Sequence, residues 1–190
     1  KEALVSGIKK GVDQVSKPDG YFKDVAIKIL MPEEAQKVEQ TLRKIGMDKQ
    51  VDEAIEAMNR AAEDAAREAT DIFLLAIKSM TFEDALNILR GEQNAATQYL
   101  NKTTRDTLTN KFQPIISVSL DKVNATKYWE TIMSKYNKVP FVKKMNPDLE
   151  VYVTEKALDG LFYQIAKQEA EIRTNPGART TDLLKKVFSK

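Results

Sequence analysis

The chain of 190 residues contains no cysteine and no histidine. Without cysteine it cannot form a disulfide, and it offers neither a thiolate nucleophile nor a thiolate metal ligand. Without histidine it lacks the commonest general base, so neither a Ser-His-Asp triad nor a Glu-x-x-His di-metal site can be built. No glycine-rich phosphate loop is present either. We therefore predict no metal and no cofactor.

Glycine and proline are also scarce, with seven and six residues respectively, which favours long regular elements joined by short connections. No apolar run approaches the roughly 18 residues that a membrane-spanning helix needs. The 30 basic and 28 acidic residues nearly balance, and they form no basic stripe of the kind that binds nucleic acid. These features predict one helical domain over residues 1–190, with no transmembrane span and no nucleic-acid partner.

The strongest periodic pattern lies in the second quarter of the chain, where apolar residues alternate spacings of four and three as in a heptad seam. The seam residues are Val51, Ile55, Met58, Ala62, Ala65, Ala69, Ile72 and Ala76. The pattern predicts one helix from Asp48 to Met80, roughly 45 Å long, with Asp48 as its N-cap. Residues 72–77 are apolar on every side, so we expect this helix to be buried at the centre of the fold.

Similar patterns elsewhere predict an all-α bundle of about seven to nine helices. Turn residues at 17–20 end the first helix near Ser16. Residues 25–31 are short and branched, and we expect an extended segment there, although no partner strand is evident. Pro114 is predicted to open a new helix after one that ends at Phe112, and residues 180–188 are predicted to form a short terminal helix.

Several polar residues stand at informative positions. Thr81 and Asp84 match a capping box. The charges around Arg60 and Glu63 repeat at i,i+4 and favour a solvated charge ladder, the alternative being a polar pocket built by Asn59, Arg60 and Glu63 against a neighbouring helix. Arg173 and Arg179 could tie the chain end to the core, which is the favoured interpretation, or alternatively hold an anionic ligand.

Six segments together resemble a bacterial domain-of-unknown-function family, numbered 4197. They are MNRAAEDA, IFLLAIKSMTFEDALNILRG, AATQYL, FQPII, ALDGLF and IRTNPGARTTDLLKKVF. The resemblance covers nearly the whole chain, and it implies an all-helical protein, commonly exported and often a lipoprotein. It supplies no catalytic residues. Its motif positions define a candidate polar site: Asn59, Arg60, Glu63, Thr81, Asp84, Thr97, Tyr99, Arg173 and Asp182.

The chain starts almost inside a helix, because Leu4 and Ile8 already follow helical spacing. We therefore expect that an upstream segment was removed, which fits an export signal and allows a lipid anchor upstream. The expected location is periplasmic or attached to the cell envelope, and a cytoplasmic location stays open.

Three functions are compatible with these patterns. The first is a non-enzymatic envelope protein that binds a protein partner or scaffolds an assembly. The second is a carrier or sensor of an apolar or amphiphilic ligand, held in an inter-helix cavity lined by Phe73, Ile77, Tyr99 and Leu161. The third, which the sequence favours least, is a hydrolase that uses only carboxylates, with Glu63, Asp84 or Glu169 as acid or base.

Overall fold

The structure, a computed structural model, describes residues 1–122, 124–138, 148–178 and 185. Within these residues the chain forms eight α-helices and no strand. The helices are α1 (Glu2–Ser16), α2 (Gln36–Lys44), α3 (Asp48–Ala66), α4 (Ala69–Ser79), α5 (Phe82–Arg90), α6 (Ala95–Asp121), α7 (Ala125–Tyr136) and α8 (Leu149–Thr174). The prediction of an all-α fold is confirmed.

The two longest helices, α6 and α8, pack against each other at the centre of the fold, with α3 against α6 and α1 against α8. Small residues allow these helices to approach closely. Five alanines of α3 and α4 are fully buried: Ala61, Ala62, Ala65, Ala66 and Ala69. Gly7 and Gly11 of α1 face α8, where an added Cβ would lie 3.3 Å from Ile172 and 3.3 Å from Ile165. Close packing of this kind maximises dispersion contacts across the core.

The single helix predicted from Asp48 to Met80 is wrong, because the chain forms two helices separated by Arg67 and Glu68. The Glu68 N–H bonds to the Ala65 carbonyl, three residues back, which tightens the turn at this point. Both separating residues keep α-helical backbone angles. The apolar seam therefore runs through the break without a change of period. The central position that was expected for one long helix is shared by α3 and α4 with α6 and α8.

Two further expectations for this region are corrected. Asp48 is the first residue of α3 and makes no side-chain cap, since the N-cap position falls on Met47. The all-apolar stretch at residues 72–77 is not buried on every side: Phe73 and Ile77 lie in the core, whereas Leu75 is 63% exposed.

Pro114 does not open a helix but lies inside α6. A proline removes one backbone hydrogen bond and usually breaks a helix. Here Leu108, Phe112, Ile116 and Leu120, spaced by four on both sides of it, are all fully buried. The burial of this continuous stripe outweighs the local cost of the proline.

Residues 25–31 form turns followed by irregular chain rather than a strand. The turns close through the Ile27 and Lys28 N–H groups, which both bond to the Asp24 carbonyl. Of the predicted terminal helix at 180–188 the structure describes only residue 185, and Arg179 and Asp182 lie outside the described residues. No helix of the described part is both long and apolar enough to cross a bilayer.

The packing predicts a marked cost for Gly160→Ala. A Cβ on Gly160 would lie 2.6 Å from Tyr21 Cε1 and 3.1 Å from Ile27 Cβ, so the buried Tyr21 ring would have to move. We expect unfolding in urea to show a loss of about 1–3 kcal/mol. Gly7→Ala is the matched control: it has the same gain in helix propensity, but its nearest contact is a movable methyl group at 3.3 Å. Equal stability changes in the two variants would contradict the prediction.

Candidate functional site

Glu63 on α3 anchors the turn that follows α1. Its side chain is 3% exposed, and its Oε1 accepts hydrogen bonds from the Tyr21 N–H at 3.1 Å and the Phe22 N–H at 3.2 Å. The Tyr21 ring is fully buried, and its hydroxyl donates to the Ala157 carbonyl of α8 at 2.6 Å. Burial raises the pKa of this hydroxyl well above its ordinary range. The carboxylate therefore satisfies backbone donors that would otherwise be buried without partners.

Asn59, one helical turn before Glu63, holds the irregular segment in a similar way. Its Oδ1 accepts from the Ile29 N–H and its Nδ2 donates to the Ile29 carbonyl, both at 2.8 Å. Nδ2 also donates to the Ile55 carbonyl at 2.7 Å. The carboxamide thus pairs with Ile29 as a neighbouring strand would, and this side chain takes the place of the missing partner strand.

Arg60 lies at the surface, next to the buried Asn59 and Glu63. Its guanidinium lies 2.8 Å from Glu63, 2.7 Å from Asp19 and 3.1 Å from Glu56. Hydrogen bonds to Glu63 and then Asp19 raise the pKa of Arg60, while bonds from Lys23 and then Arg60 lower the pKa of the half-buried Asp19. The favoured interpretation of a solvated ladder is wrong for Glu63, which is buried. Asn59, Arg60 and Glu63 do come together, but they face the turn that follows α1 and the irregular segment at Ile29 rather than a neighbouring helix.

A second buried carboxylate, Glu169 of α8, binds the N-terminus of α6. It accepts from the Ala96 N–H at 3.0 Å and from the Thr97 N–H and hydroxyl at 2.9 Å each. These backbone donors have no partner inside their own helix. Arg173, one turn further along α8, lies 2.8 Å from Glu169 and donates to the Ile88 carbonyl of α5 at 2.7 Å. The pair therefore joins three helices.

Thr81 and Asp84 form the predicted capping box at the start of α5. Asp84 accepts from the Thr81 hydroxyl at 2.7 Å and from the Thr81 N–H at 2.9 Å, and these bonds lower its pKa. Tyr99 is half-buried against the small cluster of Met80, Ile88 and Ala96. Burial, with a smaller effect of Asp84, raises the pKa of its phenol.

The candidate polar residues within the described chain divide into separate groups. Asn59, Arg60 and Glu63 meet around the turns before α2, whereas Thr97 and Arg173 meet around Glu169, and the Thr81 side chain bonds to Asp84. The carboxylates named for a hydrolase thus serve three different parts of the chain. Asp84 also has a lowered pKa, whereas a carboxyl that acts as a general acid near neutral pH needs a raised one. Within the described residues no cluster of three or more acidic groups could hold a metal ion.

An apolar groove with a volume of about 270 Å³ lies between α1, α5, α6 and α8. Its walls include Leu4, Gly7, Ile8, Phe82, Ala85, Leu86, Leu89, Leu100, Ile165 and Ile172. The charged residues that reach it are Lys1, Glu2, Glu169 and Arg173. Glu169 and Arg173 are bonded to each other and to backbone groups, and Lys1 Nζ donates to the Met80 carbonyl at 2.6 Å. The groove therefore offers apolar surface and few open polar groups.

The groove is not the cavity expected from the sequence, since none of Phe73, Ile77, Tyr99 and Leu161 lines it. The signal that indicates it is the face of α5 at positions 82, 85, 86 and 89, with i,i+3,i+4,i+7 spacing. In the structure this face forms one wall of the groove, and Phe82 is 80% exposed.

A family model described as "Protein of unknown function (DUF4197)" matches residues 1–189, which agrees with the resemblance seen in the motifs. No curated protein and no solved structure matches the chain.

The two hydrogen bonds between the Asn59 side chain and the Ile29 backbone predict that Asn59→Leu destabilises the fold. The substitution keeps the number and branching of the side-chain heavy atoms but leaves the Ile29 N–H and carbonyl without partners, so we expect a loss of about 2–4 kcal/mol in urea unfolding. Thr154→Val is the matched control, because the buried Thr154 hydroxyl makes no hydrogen bond in the described structure, and we expect it to be neutral or slightly stabilising. If Asn59→Leu lowers the free energy of unfolding no more than the control does, the hydrogen bonds between Asn59 and Ile29 do not stabilise the fold.

The capping box predicts a pH-dependent contribution from Asp84. Its pKa is lower in the folded than in the unfolded chain, so its stabilising effect is present above about pH 4 and is lost as the pH falls through the folded pKa. Urea unfolding of wild type and Asp84→Asn should therefore differ at pH 7 and converge near pH 2–3. Glu83→Gln, which removes a charge from the same turn without touching Thr81, should show a smaller pH-dependent difference. A gap between wild type and Asp84→Asn that persists unchanged in acid would count against this role.

Proposed function

The chain belongs to the DUF4197 family, and from the shape of its apolar groove we propose that it is a non-enzymatic binding protein that docks an amphipathic helix of a protein partner. The observation that carries the proposal is the continuous apolar wall of α5, which extends from the groove floor to the exposed Phe82. An envelope location, as the family resemblance implies for a bacterial exported protein or lipoprotein, is part of this proposal.

The composition of the groove supports recognition by apolar contact. Lys1, Glu169 and Arg173 are bonded within the protein and only the exposed Glu2 is left at the rim, so an occupant gains little by bringing polar atoms into the groove. Burial of apolar area alone can supply the binding free energy, at about 25 cal/mol per Å². A polar substrate would lose its hydration without finding partners, which disfavours the hydrolase alternative.

The dimensions of the groove favour a helix over a small molecule. Its volume of about 270 Å³ lies at the low end of small-molecule pockets, and one side is open to solvent. The apolar stripe of α5 runs over about two helical turns, roughly 10 Å. A partner helix could place two or three side chains along such a stripe, as in other helix-in-groove complexes. Phe82 at the rim is the kind of exposed aromatic residue that contributes strongly to interfaces.

A carrier of an apolar or amphiphilic ligand is the alternative that this groove also supports, because a short hydrocarbon chain meets the same apolar walls. The two functions differ in the mass of the occupant and in whether contacts extend beyond the groove. Phe82 lies at the rim of the groove, so a cross-linking probe at this residue can detect either a protein partner or a small ligand.

The proposal predicts that a photo-crosslinking residue, p-benzoylphenylalanine, at position 82 captures an amphipathic helical segment of one protein in cells that normally express this chain. Mass spectrometry of the cross-linked peptide identifies the captured segment. Ala85→Trp, which fills the groove from the α5 wall, should lower the yield about tenfold, equivalent to about 1.4 kcal/mol. The same probe at Leu75, an exposed residue of α4 outside the groove, should not capture that segment.

Two outcomes would overturn the proposal. The first is an adduct of lipid mass at position 82, which native mass spectrometry would detect as bound lipid and which would favour the carrier function. The second is capture that Ala85→Trp leaves unchanged, because the contact would then lie outside the groove.

A further inference from the structure

A second cavity, of about 660 Å³, lies between the irregular segment 26–33 and one stripe of α8. The stripe consists of Tyr152, Lys156, Asp159, Gly160 and Tyr163. We name this cavity the α8 cleft. It shares no lining residue with the apolar groove, and its volume lies in the range of small-molecule sites.

The backbone of the segment places a hydrogen-bond donor on the cleft side. The N–H and carbonyl of Ile29 both face Asn59 on α3, whereas the carbonyl of the next residue, Leu30, accepts from the Tyr152 hydroxyl of α8 at 2.8 Å. Successive peptide groups thus alternate in direction, as they do in a strand. The Leu30 N–H then lies on the same side as its carbonyl, and within the described structure it makes no hydrogen bond.

This geometry favours a small acceptor over a partner strand. Strand addition needs alternate N–H and carbonyl groups that are both open. Tyr152 already occupies the Leu30 carbonyl, so only the N–H remains available. The segment is also firmly held, because Asn59 binds it on one side and Tyr152 on the other. A preorganised donor of this kind binds at low entropic cost.

The charges that line the cleft favour an anionic group. Lys28 and Lys156 form no ion pair with a carboxylate of the described chain. Their ammonium groups lie instead 4.2 Å from the Phe22 ring centroid and 6.0 Å from the Tyr152 ring centroid. Of the two acidic residues on the walls, Asp159 is bonded to Arg105 at 2.7 Å, which leaves only Glu33 to oppose the two lysines.

We propose that the α8 cleft binds a small ligand that carries a carboxylate on a flat aromatic body. The carboxylate is bound by Lys28, Lys156 and the Leu30 N–H, since charge-assisted hydrogen bonds to a carboxylate are the stronger kind. The aromatic body lies against Tyr163, whose ring is half-exposed at the cleft. This site is independent of the groove and of the protein partner proposed for it.

Benzoate is the probe for this proposal, and benzamide, with the same shape and no charge, is its matched control. In a titration followed by ¹⁵N-resolved NMR of the whole chain, benzoate should shift the amide signals of Leu30 and of residues along the α8 stripe. Benzamide should bind at least about tenfold more weakly, a difference of about 1.4 kcal/mol. Equal affinity for the two compounds, or shifts confined to other surfaces, would overturn the proposal.

Substitution of the lysines gives the second arm of the experiment. Lys28→Met and Lys156→Met keep most of the side-chain length and should each weaken benzoate binding about fivefold or more, equivalent to about 1 kcal/mol. Lys167→Met, at an exposed position of α8 outside the cleft, should leave benzoate binding unchanged. If all three variants bind benzoate equally, the lysines do not form a site and the proposal fails.

Discussion

The fold depends on the need to give every buried backbone N–H and carbonyl a partner where the chain is not helical. The connection between α1 and α2 crosses the bundle surface without a strand to pair with, so its polar groups would be buried at a cost of about 1–3 kcal/mol each. Glu63 and Asn59 of α3 remove this cost by binding Tyr21, Phe22 and Ile29. Tyr21 can then enter the core beside Gly160, where a larger residue would not fit.

Hydrogen bonds from buried side chains to backbone groups also determine the shape of the candidate binding surfaces. Glu169 binds the first N–H groups of α6, and Arg173 links it to the last carbonyls of α5. The walls of the groove are thereby fixed by groups on its rim, and its interior is left apolar. On the other face, Asn59 and Tyr152 hold the segment of Ile29 and Leu30 so that one donor faces the α8 cleft. Polar residues that look functional in the sequence thus hold the walls of these surfaces in position.

Local features were the ones that the sequence could predict. The capping box of Thr81 and Asp84 needs only four consecutive residues, and the all-helical class follows from periodicity within each segment. The break at Arg67 could not be seen, because the backbone angles stay helical and the apolar seam continues across it. The continuity of α6 through Pro114 could not be predicted either, because the burial of Phe112 and Ile116 in the core outweighs the tendency of proline to break a helix.

The candidate site was harder to predict because its contacts join distant parts of the chain. The charges of α3 match both a solvated ladder and a polar anchor, and only the position of residues 19–29 decides between them. Nothing near Asn59 in the sequence indicates that Ile29, 30 residues earlier, will bond to it. The amphipathic face of α5 was visible, but periodicity shows only that a face is apolar and not what covers it. In this protein α5 has a single buried residue, Ile88, so most of its apolar face is left to the groove. A helix whose apolar side is only partly covered fits the proposed docking of a partner better than a role in completing the core.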